Sequence, residues 1–434
     1  MKCLLPLSAA ILQSMALFLF SCASAPESLA PQTGREIPAD FSGLVHAGGT
    51  NTSEEFAFLD YMGTGWILHT FYWSRIESEQ GEWDFINYDT LVDNAEAAGI
   101  KVLGVLAYDN RWIHTDRKSH NYIPPARLPD YLEYVRKTVD HFRGRVDAWC
   151  IWNEPNFHFW TGTGKEFFEL ARQAADVIRE TDNEVILLGG AFNRGVFGLP
   201  KKYIRGLFES GAMEKADAVA FHPYELNPGR TARLYDQFRE IVDDYGFGDK
   251  IWITEVGYPT GGWYPTRISE KNLPAYVIKT CVLLLTRGSQ KVFWYQLFDP
   301  HRRNGGNSED FFGLAQSDYS SKGAEAFRLC AQFLSGSSYR AQELRRENLP
   351  NSLRSFYFEG DGNCVLILWN ESPGERQVRL LLSGTGHTRH DPVSGSASVL
   401  QMETVVKAGS MPVFITWQGG TEKPLIRAFS KIPF

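Results

Sequence analysis

The chain has 434 residues, 43% hydrophobic and 22% charged, an ordinary balance for a folded protein with room for more than one core. Its net charge of −7, with no basic run, argues against a nucleic-acid partner. No metal-type cysteine or histidine spacing, GxxxxGK[ST] loop, GxGxxG turn or GxSxG elbow occurs, so metal, nucleotide-cofactor and serine-hydrolase chemistries have no support and no cofactor is expected.

The first residues read as an export signal rather than as part of a fold. After Met1-Lys2, residues 3–26 carry no charge and are most apolar over 11–20. Leu19-Phe20-Ser21-Cys22 resembles a bacterial lipobox, although Phe20 stands where a small residue is usual; in that resemblance Cys22 bears the lipid. Cleavage after Ala23-Ser24-Ala25 and an uncleaved anchor are the alternatives, and all three place the protein outside the cytoplasm, in contact with a membrane only through its anchor. Residues 1–22 are thus assigned to the leader and 23–40 to a polar, proline-containing tether.

From Phe41 the sequence alternates two periodicities. Apolar strands are expected over 44–46, 66–71, 101–106, 147–152, 184–188, 216–221, 250–254 and 291–296. Amphipathic helices fall between and after them, over 54–61, 88–98, 128–142, 165–180, 200–208, 232–245, 273–286 and 322–333. Gly99 reads as a helix C-cap, and Gly189-Gly190 as the end of the fifth strand. Eight such units within about three hundred residues imply an α/β fold, a (β/α)8 TIM barrel over 41–336; the count of eight argues against a doubly wound sheet.

After about Ser337 the pattern becomes strand-like without long helices, over 353–358, 364–370, 377–382, 396–406 and 412–417, with Asp361-Gly362 as a hairpin signal. This predicts a C-terminal antiparallel β-sandwich over 337–434, with Trp369 and Trp417 in its core rather than facing a ligand. Cys150 and Cys281 read as buried thiols, and a Cys281–Cys330 bridge is conceivable in an oxidising compartment.

One stretch carries chemistry. Ala148-Trp149-Cys150-Ile151-Trp152 is a buried strand, halted at Asn153-Glu154-Pro155-Asn156 because proline cannot donate to a ladder. Proline also biases Glu154 toward extended backbone. A lone glutamate there is readily a solvated turn residue, but Ile253-Thr254-Glu255 ends the seventh strand in the same way. Two carboxyls then share the rim where barrels keep their chemistry, the requirement for cleaving a glycosidic bond.

Trp152-Asn153-Glu154-Pro155-Asn156, with Thr254-Glu255 three units later, resembles the clan A glycoside hydrolases, retaining barrels with catalytic glutamates on strands four and seven. The resemblance covers most of the barrel and is closest to family 39, which includes β-xylosidases and α-L-iduronidases; families 5 and 42 share parts of it. Trp73-Ser74-Arg75-Ile76-Glu77, Gly189-Gly190-Ala191, His222, Tyr224, Phe312-Gly313-Leu314 and Lys322 extend the match, while Val256 replaces an aromatic residue common after the nucleophile.

The resemblance implies a carbohydrate substrate, Glu154 as acid/base, Glu255 as nucleophile, and Asn153 on the sugar 2-hydroxyl. It further implies Tyr224 on Glu255, His222 on sugar hydroxyls or a catalytic carboxylate, and Trp294 as an aromatic floor. Weaker rim candidates are His46 toward a sugar hydroxyl, Arg75 toward the nucleophile's charge or a structural salt bridge, and Trp112, Trp160, Trp263 and Tyr264 as subsite walls or loop anchors. The rival reading is a surface carbohydrate-binding lipoprotein that has lost turnover.

Overall fold

The computed structural model describes residues 31–46, 49–115, 120–195, 198–262, 267–299, 306–419 and 422–428; the expected leader with Cys22, and Trp263 and Tyr264, lie outside the described residues. Eight parallel strands, β1 (Ser42–Val45), β2 (Trp66–Tyr72), β3 (Lys101–Ala107), β4 (Ala148–Ile151), β5 (Ile186–Asn193), β6 (Ala218–His222), β7 (Ile251–Val256) and β8 (Lys291–Trp294), close into a barrel. Closure pairs β1 with β8, Leu44 opposite Trp294. The surrounding helices are α1 (Ser53–Tyr61), the single turn α2 (Trp73–Ile76), α3 (Ile86–Ala97), α4 (Leu128–His141), α5 (Gly164–Thr181), α6 (Lys201–Glu209), α7 (Pro228–Asp243), α8 (Leu273–Leu285) and α9 (Ala324–Leu334). Among the described residues no helix is long and apolar enough to cross a membrane.

Local chemistry explains these elements. The strands are continuous apolar runs because helices cover their outer faces and side chains fill the barrel. Helix α5 starts at a reciprocal cap in which Thr163 accepts from the Glu166 backbone and Glu166 accepts from that of Thr163. The barrel floor is aromatic: the Trp66 and Trp252 rings meet edge to face at 5.1 Å, and Phe293 lies at 6.4 Å from Trp252. Gly43 leaves room for Phe293, since a Cβ there would sit 2.5 Å from its ring. Beneath, Asp40 binds Lys101 at 2.8 Å and also Lys291. Burial alone would raise the Asp40 carboxyl, but the two lysines outweigh it and hold the group far below the usual carboxylate range.

The C-terminal strands form two further sheets. One has the order β15 (Ala397–Val399), β14 (Thr385–His390), β17 (Val413–Gln418), β12 (Asn363–Asn370), β11 (Leu353–Gly360), β9 (Ser338–Tyr339). The other runs β10 (Arg345–Glu347), β18 (Leu425–Ala428), β13 (Arg376–Leu381), β16 (Glu403–Ala408). The expected Asp361-Gly362 turn is present, with positive φ at both residues, 47° and 76°. Alternation along β12 sorts its side chains: Val365, Ile367 and Trp369 join the barrel's core, and Cys364, Leu366 and Leu368 join the core between the sheets. Both sandwich tryptophans are core residues, Trp369 stacked on Phe356 and Trp417 on Tyr357.

The structure departs from expectation in several places. The segment 31–37, read as tether, lies against the fold through Gln32 N to Thr286 O, Gly34 N to Tyr339 O and Ile37 N to Ser337 O. Strand β5 does not stop at Gly189-Gly190 but continues to Asn193 through a bulge at Gly190, whose φ is 148°. The expected strand 396–406 is two, β15 and β16, and β14 was missed because its Thr-Gly-His-Thr-Arg-His sequence lacks apolar alternation. Cys281 and Cys330 are free, buried thiols that touch across α8 and α9.

The loop after β8 is tied down by a buried ion pair. Lys322 Nζ lies 2.7 Å from Asp299 Oδ2, while Asp299 Oδ1 accepts from the Gly313 backbone at 2.8 Å. Removing one partner strands the other charge in a low-dielectric site. Asp299→Ala is therefore expected to destabilise the fold by about 3 kcal/mol, read as a lower denaturation midpoint, with Asp299→Leu/Lys322→Met recovering most of the loss.

Candidate active site

Strand β4 ends in unusual backbone. Trp152 and Glu154 take positive φ, 66° and 45°, a left-handed conformation costing about 1–2 kcal/mol per non-glycine residue. The extended backbone expected before Pro155 is thus not adopted at Glu154. The reversal is held by the buried Trp152 indole, which donates to Phe159 O at 2.8 Å and packs edge to face on Tyr108 and Trp160. It turns the Glu154 carboxyl toward β5 and β6, where two side chains bind it.

The first is Asn193 at the end of β5, donating Nδ2–H to Glu154 Oε1 at 2.9 Å. Asn193 is locked in turn by Asn156, which accepts from its backbone N at 2.9 Å and donates to its O at 2.8 Å. The second is His222 at the end of β6, fully buried, with Nδ1 2.7 Å from Glu154 Oε1 and Nε2 2.9 Å from Thr254 Oγ1. The same Nδ1 lies 3.6 Å from Glu255 Oε2. Tyr224 donates its hydroxyl to that Glu255 oxygen at 2.8 Å. Oxygens of Glu154 and Glu255 and a ring nitrogen of His222 lie within 4.8 Å of one another. That spacing would also suit a divalent cation, but both His222 nitrogens are already engaged by hydrogen bonds.

Electrostatics follow from this geometry. Burial pushes the Glu255 carboxyl up and Glu154 adds to the rise, with His222 and Tyr224 opposing; the net direction is upward. Burial alone would lower the His222 imidazole, but Glu255 and Glu154 outweigh it and raise it. Tyr224 and Tyr108 are buried phenols held well above the usual range, mainly by desolvation.

The other sequence candidates divide. Asn153 is at the site, donating to Tyr108 Oη at 3.1 Å. His46 is not open to a ligand: it is 2% exposed, bound to Glu55, and its Nδ1 faces His69 at 3.4 Å. Glu55 is itself buried and needs that partner. Arg75 forms no salt bridge with Glu255 or with any other carboxylate among the described residues; it is exposed and stacks on the Tyr72 ring at 4.6 Å. Trp294 is fully buried and faces outward against Tyr258, which bonds Thr231 of α7, so it is no floor for a ligand. Its neighbour Tyr295, partly exposed and 6.2 Å from the Tyr224 ring, occupies that side of the site. Trp112 and Trp160 are anchors, donating to Glu77 O and Thr163 O.

Sequence reasoning missed Asn193, Tyr295 and Tyr108. A raised carboxyl retains its proton in the fold above the ordinary value of 4.5, where the unfolded chain has lost it, so stability falls as pH rises above that value. Glu255→Gln, neutral throughout, is expected to flatten that decline and to raise the thermal midpoint at pH 7 by a few degrees, measured by scanning calorimetry from pH 4 to 8.

No protein-family model matches the chain. It is similar to a β-xylosidase from Caldicellulosiruptor saccharolyticus, 28% identical over 121 residues, which is 25% of each chain. It is also similar to an endo-1,4-β-xylanase B from Thermotoga neapolitana, 25% identical over 206 residues, 44% of this chain and 57% of the relative. The chain therefore matches only a quarter to just over half of the length of these curated relatives. Among solved structures, a family 39 glycoside hydrolase from the gut symbiont Bacteroides cellulosilyticus superposes with a TM-score of 0.73 at 20% identity, over 88% of this chain and 81% of that one. The likeness to that solved structure shows a shared fold, a barrel followed by a C-terminal β-domain.

Proposed function

We propose that the chain is a retaining glycoside hydrolase acting on an oligo- or polysaccharide. The observation that carries this reading is the approach of Glu154 and Glu255 to within 4.8 Å across a buried histidine. Carboxyl groups about 5–5.5 Å apart suit direct attack on the anomeric carbon, whereas about 6.5–9.5 Å leaves room for the water of an inverting enzyme.

In this reading Glu255 attacks the anomeric carbon and forms a glycosyl ester, while Glu154 gives its proton to the departing glycosidic oxygen. Glu154 then takes a proton from water as that water breaks the ester. Tyr224 fixes the attacking oxygen and Asn153 faces the sugar's 2-hydroxyl. Asn193 and His222 hold the acid in place. The names of the similar proteins, β-xylosidase and endo-1,4-β-xylanase, make xylosides and xylan the first substrates to test. The leader and Cys22 support export and lipid anchoring, which predicts that Cys22→Ser shifts the protein from the membrane to the soluble fraction.

A panel of aryl glycosides and oligosaccharides tests the reading. Glu255→Ala is expected to abolish turnover, and Glu154→Ala to slow unactivated substrates by about 100- to 10,000-fold. Tyr224→Phe removes a hydrogen bond that favours ionised Glu255, so the acid limb of kcat/KM should move to higher pH. Turnover that survives Glu255→Ala defeats the mechanism; wild-type protein that binds sugars without cleaving any of them supports the binding-protein reading.

A further inference from the structure

The residues that hold the two glutamates are each followed by a charged residue that the mechanism does not use. Asn193, which bonds Glu154, is succeeded by Arg194, and Tyr224, which bonds Glu255, is succeeded by Glu225. Arg194 Nη1 and Glu225 Oε1 meet at 2.9 Å, with side chains 17% and 13% exposed. The ladder between β5 and β6 ends with Asn193 opposite His222, and this ion pair joins the two chains just past it.

Local bonds fix the link at both ends. On the β5 side, Asn193 Oδ1 accepts from Gly195 N at 2.8 Å, which leaves Nδ2 as the edge of the amide that meets Glu154. Gly195 takes a φ of 73°, and a Cβ there would sit 2.7 Å from Gly198 O, so the turn carrying Arg194 is closely folded. On the β6 side, Glu225 Oε2 accepts from Leu226 N at 3.2 Å, and Arg230 in the first turn of α7 approaches it at 3.7 Å. One oxygen of Glu225 is thus held by its own loop while the other takes Arg194. A charge-assisted hydrogen bond of this kind restrains its two chains more strongly than a neutral one.

We propose that Arg194 and Glu225 form a positioning clamp that sets Asn193 against the acid and Tyr224 against the nucleophile as one unit. The inference rests on the glycosidase reading and adds to it two residues that act through Asn193 and Tyr224 rather than on the sugar. A displaced acid slows the departure of leaving groups that need a proton more than of those that leave unaided. Loss of the clamp therefore has a signature that loss of fold stability lacks.

The test compares wild type with Arg194→Met, Glu225→Gln, their double variant, Arg194→Lys and Asp217→Asn. The last breaks the ion pair of Arg179 with Asp217, which precedes β6 at the opposite end of the barrel. The substrates are phenyl and 2,4-dinitrophenyl forms of the glycoside that wild type cleaves best. Arg194→Met and Glu225→Gln should lose about 100-fold in kcat on the phenyl glycoside but only about 10-fold on the dinitrophenyl one, with KM within about threefold of wild type. The double variant should lose no more than either single one, since each breaks the same link. Arg194→Lys should recover most of the lost kcat, and Asp217→Asn should lower the thermal midpoint while leaving kcat unchanged. Glu225→Gln carries the comparison where Arg194→Met is not folded. Equal losses on the two leaving groups, additive losses in the double variant, or the same kinetic pattern in Asp217→Asn overturn the proposal. Wild-type turnover with unaltered kinetics in both single variants defeats the clamp alone; absence of wild-type turnover on any glycoside defeats the glycosidase reading and the clamp with it.

Discussion

One buried imidazole holds two carboxyls at the mouth of a closed barrel, and the site depends on that charge balance. Glu154 and Glu255 come from strands on different sides of β6, and His222 between them faces both, at 2.7 and 3.6 Å. Desolvation and the Glu154 charge favour a proton on Glu255, while His222 and the Tyr224 hydroxyl favour its loss. Two chemically identical side chains are thereby given unequal partners: Asn193 and His222 on one, Tyr224 on the other. Such inequality is what lets one carboxyl act as acid while the other acts as base or nucleophile.

The barrel reaches this arrangement by interrupting its own regularity at the rim. The bulge at Gly190 extends β5 so that Asn193 meets Glu154, and left-handed backbone at Trp152 and Glu154 turns the Glu154 carboxyl inward. Between β7 and β8 the register shifts from Ile253 to Val256, and Gly257 lets the chains touch: a Cβ there would sit 2.2 Å from Tyr295 O. Each irregularity costs stability locally and is sustained because the strands below it are fully paired and packed.

Those irregularities also explain what the sequence revealed and what it withheld. The eight strands and the positions of Glu154, Glu255, His222 and Tyr224 were legible, because buried strands are apolar runs and polar residues at their ends stand out. Asn193 was not, because Gly189-Gly190 reads as a terminator unless the bulge is known. Trp294 meets Tyr258 while its neighbour Tyr295 meets Tyr224, because a single step along a strand exchanges the two faces of a sheet. His46 looked available because its partner Glu55 sits on α1, and nothing in either local sequence announces the pairing. The turn Ser308–Phe311 has no strand beneath it and is held by its packing on Thr260–Gly262.

The two ends of the barrel show how one kind of side chain comes to serve different ends. At the floor, Asp40 is matched by Lys101 and Lys291, so its carboxyl is held ionised and the cluster stabilises the fold. At the mouth, Glu255 and Glu309 are both pushed upward, with His222 and phenolic hydroxyls for compensation. Counter-charge in excess holds a carboxylate ionised; counter-charge in deficit favours its protonated form. The sandwich packs on the outer helices, with Lys279 of α8 over the Trp369 ring and Phe333 of α9 against Phe414. The acidic groups at the mouth and their partners are set by the ends of β4, β5, β6 and β7, which carry Glu154, Asn193, His222 and Glu255.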